Sequence, residues 1–154
     1  TVNSYKRLRV SPSLSGTSWA PAYAAQGPNN RTAALRTLHG RFEWRVPDAS
    51  ANPYLAMAAL IAAGLDGVDR KLEPPPDCSE DLFELSPAQV HERGIATLPQ
   101  FLGEALDALA ADELICTTLG ETLTQQFLSL KRAEIDEYRQ HISDWELRRY
   151  VQAF

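Results

Sequence analysis

The sequence predicts a single α+β domain, with short antiparallel strands first and packed helices after them. Two segments, residues 31–37 and 41–47, have the composition of short strands separated by a three-residue turn. The second half of the chain instead carries longer apolar and amphipathic segments that are typical of helices. With 154 residues, of which 44% are hydrophobic, the chain is large enough for one domain with its own core.

The residues before the first predicted strand form a long, irregular beginning. Residues 1–8 have an extended character, and residues 9–30 form a connection rich in Ser, Pro, Gly and Asn. Connections of this length without secondary structure are uncommon in compact domains and are often functional lids. Trp19 is the large apolar anchor of this connection. We expect Trp19 either to pack the connection onto the domain or to take part in a site.

The second predicted strand carries a row of charged residues. The strand follows the tight turn Leu38-His39-Gly40, so the two strands are predicted to form an antiparallel hairpin. The charged residues lie at alternate positions: Arg41, Glu43 and Arg45. The apolar residues fill the other positions: Phe42, Trp44 and Val46. Because side chains on one face of a strand stand about 6.5–7 Å apart, we predict a carboxylate held between two guanidinium groups over a buried aromatic face.

This charged row has two interpretations. A row of charges needs either solvent or a charged ligand above it, so it is a candidate binding site for an anion or a metal ion. The alternative is structural, with Glu43 making plain salt bridges to its two arginine neighbours. The alternation of side chains does not distinguish the two.

The first long helix is predicted to be part of the core. Asn52 is a helix cap and Pro53 suits the first turn, so the helix begins there. From Ala56 to Val68 the residues are almost uniformly small and apolar. Such a helix should be buried, with Gly64 allowing close contact to a neighbour. Residues 70–97 then form a polar excursion without a hydrophobic period.

The rest of the chain is predicted to be helical. Residues 98–111 form an amphipathic helix, and a second helix runs from about residue 120 to residue 140. A last helix opens with the capping box formed by Ser143 and Glu146. Its apolar side chains are expected to dock it on the domain: Trp145, Leu147 and Tyr150.

Charge is distributed unevenly along the chain. The first 45 residues contain seven basic residues and one acid, whereas the remainder contains eight basic and nineteen acidic residues, for an overall charge of −5. Gathered arginines suit an anion held from several sides, although a solvated basic surface neutralised by acidic helices is the alternative. A nucleic-acid partner is disfavoured, because the chain is acidic overall and carries no nucleic-acid motif.

The apolar segments and the cysteines indicate what kind of protein this is. No apolar run reaches the roughly 18–20 residues of a membrane span, so no membrane partner is expected. Cys78 and Cys116 are far apart and form no CxxC motif. They are interpreted as reduced cysteines of a cytoplasmic protein, without a disulfide or a zinc site.

Several ordered blocks of the sequence carry a family likeness. These blocks are NSYKRL at residues 3–8, NRTAALR at 30–36, RFEWR at 41–45 and NPYLA at 52–56. Together they resemble the C-terminal part of the glutamine synthetase catalytic domain, in its type III-like or γ-glutamylamine synthetase-like branch. The likeness runs over nearly all of residues 1–154. It implies a partial catalytic domain, without the N-terminal domain and the upstream strands of the site.

The resemblance also implies a reaction and a set of roles. Enzymes of this family use ATP to phosphorylate the γ-carboxylate of glutamate, and ammonia or an organic amine then displaces the phosphate. Arg31, Arg36 and Arg41 would lie around the nucleotide and the transferred phosphate, with Arg31 and Arg36 as the catalytic pair. Arg7 and Arg45 would bind the carboxylates of glutamate. Glu43 would be a ligand of Mg²⁺ or Mn²⁺.

Several departures from the family pattern limit these expectations. The other metal ligands of the family lie upstream of this chain, so the chain alone is expected to be inactive. Trp19 stands where the family carries a glutamate that binds and deprotonates ammonium, which favours an organic amine as the acceptor. The connection between Arg36 and Arg41 is short and lacks the family's lysine. Phe83 replaces the tyrosine that some members modify with AMP, so that modification is excluded at this position.

The resemblance also implies that the full-length protein is a homo-oligomer. Family members form large homo-oligomeric rings, and the apolar helix at residues 53–68 would drive self-association of the chain on its own. The alternative function, from a different class, is a non-catalytic binding or assembly module that retains the glutamine synthetase fold. The near-complete set of arginines together with Glu43 favours the ligase, because a site without catalysis has no need to hold them.

Overall fold

The strands precede most of the helices in the computed structural model, which describes residues 1–10, 20–151 and 153. Its three strands are β1 (Tyr23–Pro28), β2 (Ala33–Leu38) and β3 (Arg41–Trp44). Its helices are α1 (Ser4–Arg7), α2 (Pro53–Asp69), α3 (Pro87–Glu92), α4 (Leu102–Ala111), α5 (Glu113–Leu119), α6 (Glu121–Gln140) and α7 (Asp144–Tyr150). The α+β class predicted from the sequence is confirmed.

The sheet has the order β1-β2-β3 and mixes two kinds of pairing. β2 and β3 are antiparallel and are joined at Leu38 and Arg41 by a two-residue turn, which confirms the predicted hairpin. Gly40 in that turn has φ +71°, a left-handed conformation that glycine adopts without strain. β1 pairs with β2 in parallel, so the sheet is not purely antiparallel as predicted.

β1 corrects the prediction of a single irregular connection over residues 9–30. The strand has the sequence YAAQGP, whose Ala, Gly and Pro residues are weak strand formers. Backbone contacts from distant segments hold its second edge. Ala24 N–H donates to Ala96 O at 2.8 Å, and Cys78 N–H donates to Gln26 O at 2.8 Å. Tertiary pairing therefore creates this strand against its local propensity.

The beginning of the chain also differs from its prediction. Residues 4–7 form the short helix α1 instead of an extended segment. The backbone N–H of Val2 donates to Glu134 Oε1 on α6 at 3.0 Å, which ties this helix to the helical half of the protein. A four-residue helix is too short to show a helical period in the sequence, so only its contacts define it.

The core lies between the sheet and the segment that was predicted to be a polar excursion. Ala22, Tyr23 and Ala33 from the sheet region pack with Leu82 and Val90, which are both almost fully buried. Residues 70–97 therefore supply core side chains, contrary to the prediction. Their few apolar residues are separated by polar ones at irregular intervals, so no period reveals them. Within this segment α3 opens with a capping box between Ser86 and Gln89.

Helix α2 begins as predicted but is not buried. The Asn52 side chain accepts hydrogen bonds from the backbone N–H groups of Tyr54 and Leu55, and Pro53 is the first helical residue. None of the residues of α2 is buried, and Tyr54 is 84% exposed. Apart from the chain neighbours of Gly64 and the backbone of its own helix, no atom of the described residues lies within 4 Å of the position of a Cβ on Gly64. Among the described elements α2 packs mainly on α5, which covers only one side of an apolar helix.

The remaining helices pack on one another. α4 contacts α6, and the unpredicted helix α5 lies beside both. α6 was predicted within one residue of its observed start, whereas α4 begins four residues later than predicted. The capping box of Ser143 and Glu146 at α7 is confirmed. The predicted docking of α7 is wrong, because its apolar side chains are exposed: Trp145, Leu147 and Tyr150.

Two smaller expectations can be compared directly with the structure. Cys78 is buried and Cys116 is partly buried, and neither forms a disulfide, as predicted. Among the helices of residues 1–10 and 20–151, none combines the length and the apolar character that a membrane crossing requires.

Candidate functional site

The centre of the candidate site is an ionic row across the hairpin. Arg36 on β2 lies directly opposite Glu43 on β3 in the antiparallel register. Arg36 Nη1 lies 3.0 Å from Glu43 Oε2, and Arg45 Nη1 lies 3.1 Å from Glu43 Oε1. Each oxygen of the carboxylate therefore accepts a hydrogen bond from a different guanidinium group. The sequence predicted this carboxylate between Arg41 and Arg45. The structure keeps Arg45 as one partner, but the other is Arg36 from the neighbouring strand and not Arg41.

The electrostatics of this row favour an ionised glutamate. The hydrogen bond from Arg36 is the main cause that holds the pKa of Glu43 below its ordinary value, and the positive charges of Arg45, Arg36 and Arg41 act in the same direction. Partial desolvation opposes them but does not prevail. The site thus combines one fixed negative charge with several positive ones, and its net charge is positive.

Arg36 has a second anchor in the turn before β2. Its Nε donates to Asn29 Oδ1 at 3.1 Å, and its Nη2 donates to the same oxygen. With Nη1 on Glu43, the guanidinium group is held on two edges. An arginine has five N–H donors, and the described residues engage three of those of Arg36, which leaves two for a ligand.

Arg7 reaches the same end of β3 from helix α1. Its Nη2 donates to the backbone carbonyl of Val46 at 2.5 Å, directly after Arg45 in the chain. Its Nε is buried and has no hydrogen-bond partner among the described residues. Asp48 lies nearby: its pKa is lowered, mainly by a hydrogen bond from Ser50 and in smaller part by the positive charge of Arg7. Arg7 therefore brings a further, partly enclosed positive charge to the row.

A buried polar network fixes the turn that carries Arg31. The Asn30 side chain donates from Nδ2 to the carbonyls of Cys78 and Glu80, both at 2.9 Å. Its Oδ1 accepts from the backbone N–H and the hydroxyl of Thr32 at 2.8 and 2.7 Å. The Thr32 hydroxyl in turn accepts from the Leu82 N–H at 3.1 Å. The backbone on both sides of Arg31 is thereby locked to the core segment.

The structure brings the predicted site residues together only in part. Arg36, Glu43 and Arg45 are in contact, and Arg7 lies beside them. Arg31 and Arg41 are exposed, and the influence of Arg41 on Glu43 is electrostatic only. The predicted buried aromatic face is wrong, because Phe42 is 56% exposed. Trp19 lies outside the described residues.

The described residues do not form a complete metal site by themselves. They contain no group of three His, Cys, Asp or Glu side chains placed to hold an ion. Glu43 is one oxygen donor, and both of its oxygens are already engaged by arginines. The arginines, in contrast, fit an anionic group, because guanidinium donors match phosphate and carboxylate oxygens.

Two residues of the site were not predicted. Asn29 anchors Arg36, and Asp48 lies beside Arg7. Asn29 has φ +53°, and asparagine is among the few residues other than glycine that adopt this conformation readily. The Asn-Asn pair at the end of the connection is a turn signal in the sequence, but the contact with Arg36 depends on strand register and leaves no local signal.

Comparisons with known proteins decide the family. The sequence model of the glutamine synthetase catalytic domain matches residues 1–150. The chain belongs to the glutamine synthetase catalytic-domain family. The resemblance inferred from the sequence blocks is therefore confirmed.

Two relatives of the chain carry different enzyme names. The chain is 52% identical over 154 residues to a glutamate–methylamine ligase of Methyloversatilis universalis, covering 100% of this chain and 35% of that protein. It is 43% identical over 159 residues to a glutamine synthetase of Halobacterium salinarum, covering 100% of this chain and 34% of that protein. The chain thus spans about a third of the length of these glutamine synthetase relatives.

Solved structures of the family have the same fold. A GmaS complex with ADP superposes with a TM-score of 0.81 at 39% identity, over 98% of this chain and 34% of that one. GmaS without ligand gives a TM-score of 0.78 at 37% identity, over 99% of this chain and 33% of that one.

Proposed function

We propose that this chain is part of an ATP-dependent glutamate–amine ligase that forms a γ-glutamyl amide through γ-glutamyl phosphate. The observation that carries the proposal is the positive row of Arg36, Glu43 and Arg45, in a chain that is 52% identical to a glutamate–methylamine ligase. Phosphoryl transfer depends on positioning and on neutralising the charge of the transferred group. A rigid set of arginines supplies both.

The arginines divide into two groups under this proposal. Arg31, Arg36 and Arg41 contact the nucleotide phosphates, with Arg31 and Arg36 acting on the transferred phosphoryl group. Two observations support this: Arg36 keeps two N–H donors free, and Arg31 and Arg41 are exposed. Arg7 and Arg45 bind the carboxylates of glutamate, for which their partly enclosed guanidinium groups are suited.

The proposal includes a divalent metal ion, to which this chain contributes Glu43 as a ligand. Glu43 contributes one carboxylate to a Mg²⁺ or Mn²⁺ site whose other ligands come from outside the described residues. An oxygen donor of this type fits either ion. The chain alone is then inactive, since the described residues include no group of three His, Cys, Asp or Glu side chains that could hold the ion.

For the acceptor we propose a small organic amine, with methylamine as the first candidate. The support is the identity to the glutamate–methylamine ligase and the presence of Trp19 in a connection, residues 9–30, that contains no acidic residue. An indole ring can enclose a methyl group but cannot deprotonate ammonium. The full-length enzyme is further proposed to be a cytoplasmic homo-oligomeric ring, with no nucleic-acid or membrane partner.

The experiment is ADP release by the full-length protein, with Mg²⁺, glutamate and a panel of acceptors: ammonium, methylamine, ethylamine and a diamine. We expect turnover that requires glutamate and is highest with methylamine. Arg36→Met should abolish turnover, whereas Lys71→Met, at an exposed lysine after α2, should not. Strong turnover with ammonium would change the acceptor to ammonia. Absence of turnover with every acceptor would favour the non-catalytic module.

A further inference from the structure

Within the described part of the chain, the Asn29 side chain is hydrogen-bonded to the charged row at Arg36. Its side-chain oxygen accepts from both Nε and Nη2 of Arg36, on the edge of the guanidinium group away from Glu43. Two donors on one acceptor fix the plane of the group as well as its position. The ion pair with Glu43 alone uses only Nη1 and would leave the group free to rotate about that contact.

The backbone around Asn29 holds its side chain beside Arg36. The N–H of Asn29 donates to the carbonyl of Thr37 at 2.9 Å, next to Arg36 on β2. Its φ of +53° turns the chain sharply after β1. Asn30, the next residue, is locked to the core by its four side-chain hydrogen bonds. The Asn29 side chain is therefore held against Arg36 from a rigid turn.

From this geometry the structure assigns Asn29 as a positioning residue that orients the Arg36 guanidinium group for an anionic ligand. Because Asn29 and Glu43 engage Nε, Nη1 and Nη2 of one planar group, both anchors together set the direction of the N–H donors on Arg36 that they do not use. The effect on nucleotide binding rests on the proposed function, whereas the orientation of Arg36 does not. Asn29 acts through Arg36 and is not itself a group that contacts the substrate.

The first test uses crystal structures of the full-length protein and of its Asn29→Gly variant, both without nucleotide. Glycine removes the acceptor and tolerates positive φ, so the turn should be retained. We expect Arg36 to keep its contact with Glu43 but to lose its fixed plane, seen as a second conformer or a rotated guanidinium group. An unchanged, single orientation of Arg36 in N29G would overturn the assignment.

The second test is a double-mutant cycle on ADP affinity, measured by calorimetry with N29G, Arg36→Met and the double variant. We expect N29G to weaken ADP binding by about tenfold, within the usual range for hydrogen bonds to charged groups. In the R36M background N29G should change affinity by less than about twofold, because its target is gone. Equal effects in both backgrounds, or no effect in either, would refute the assignment.

Lys71→Gly is the matched control, because Lys71 is the other non-glycine residue with positive φ, at +52°, among the described residues. It should leave ADP affinity unchanged. A loss in K71G as large as in N29G would attribute the effect to glycine in the backbone and would overturn the assignment. If the wild-type protein bound no ADP, the proposed function would fail, and the crystal comparison would still decide the role of Asn29.

Discussion

Arg36 and Glu43 face one another across the β2–β3 hairpin, with 3.0 Å between Nη1 and Oε2. Directly opposed residues of an antiparallel pair are the closest that a sheet offers, so the register of the hairpin sets this ion pair. Arg45 closes the other side of the carboxylate at 3.1 Å. The hairpin is therefore the support that holds the three charged groups together.

The first prediction concerns the pH dependence of folding. The pKa of Glu43 is lowered from 4.5 in the folded chain, mainly by the Arg36 hydrogen bond. Its ionised form therefore stabilises the fold above about pH 4.5, and this contribution is lost as the pH falls through the lowered folded pKa. We expect Glu43→Gln to reduce the pH dependence of the free energy of unfolding between pH 5 and about pH 3, measured by urea denaturation. Glu73→Gln, at an exposed glutamate with no ion pair in the described part of the chain, should retain the wild-type slope.

The second prediction concerns the buried amide of Asn30. Asn30→Ala removes the partner of the Cys78 carbonyl and of the Thr32 N–H, both buried, and of the part-buried Glu80 carbonyl. We expect the free energy of unfolding to fall by about 2–3 kcal/mol, from the cost of unsatisfied buried polar groups. Asn3→Ala is the control, since Asn3 is exposed and its side chain makes no cap hydrogen bond. Equal stability of the two variants would show that water replaces the amide.

The third prediction compares two glycines. A Cβ on Gly27 would lie 1.9 Å from the carbonyl oxygen of Cys78, which is backbone and cannot move aside easily. Gly27→Ala should therefore lower the free energy of unfolding by about 1–3 kcal/mol, the usual cost of overpacking. Gly64 in α2 has open space around it, so Gly64→Ala should be neutral or stabilising by up to about 1 kcal/mol. Thermal unfolding of both variants measures the difference in stability. A G27A variant as stable as the wild type would mean that the backbone at Cys78 moves away from residue 27 without a loss of stability.

The fourth prediction concerns the acceptor amine. If Trp19 encloses the methyl group of methylamine, Trp19→Ala in the full-length protein should reduce the preference for methylamine over ammonium by about tenfold, the value of a small apolar contact. The measurement is the ratio of kcat/KM for the two amines. Trp145→Ala, at an exposed tryptophan on α7, should leave the ratio unchanged. An unaltered ratio in W19A would reduce Trp19 to a residue that packs the connection.

The fifth prediction concerns self-association of the 154-residue chain on its own. The apolar side chains on α2 that are at least half exposed recur at helical spacing: Tyr54, Met57, Ile61, Leu65 and Val68. They form a stripe about 21 Å long, given the rise of a helix, and monomers seldom expose such a surface. We expect dimers or larger species in sedimentation velocity, with a second copy on this stripe.

The paired variant Ile61→Glu/Leu65→Glu should shift the chain toward monomer. Leu130→Glu, at an exposed leucine on α6, should not. A wild-type chain that sediments as a clean monomer at high concentration would contradict the prediction.

Sequence reasoning located much of the ionic row, because strand alternation is a local property. Arg41, Glu43 and Arg45 lie on one side of the strand by their spacing alone, and the turn before them identifies the hairpin. The partner across the hairpin, Arg36, was expected near a phosphate by family resemblance. That Arg36 is a direct partner of Glu43 depends on register, which residue spacing within one strand does not define.

By itself, then, the sequence determined the α+β class, the hairpin, the capped starts of α2 and α7, and the family. The hairpin and the helix caps depend on side chains within a few positions of one another. The family was inferred from several such short blocks in a fixed order along the chain. Only the tertiary structure decided the parallel strand β1, the burial of Leu82 and Val90, and the anchoring of Arg36 by Asn29. These features depend on segments tens of residues apart or on neighbouring strands, and their contacts overrule weak local propensity. The exposed face of α2 has the same cause, because burial depends on which surfaces are present to cover a helix.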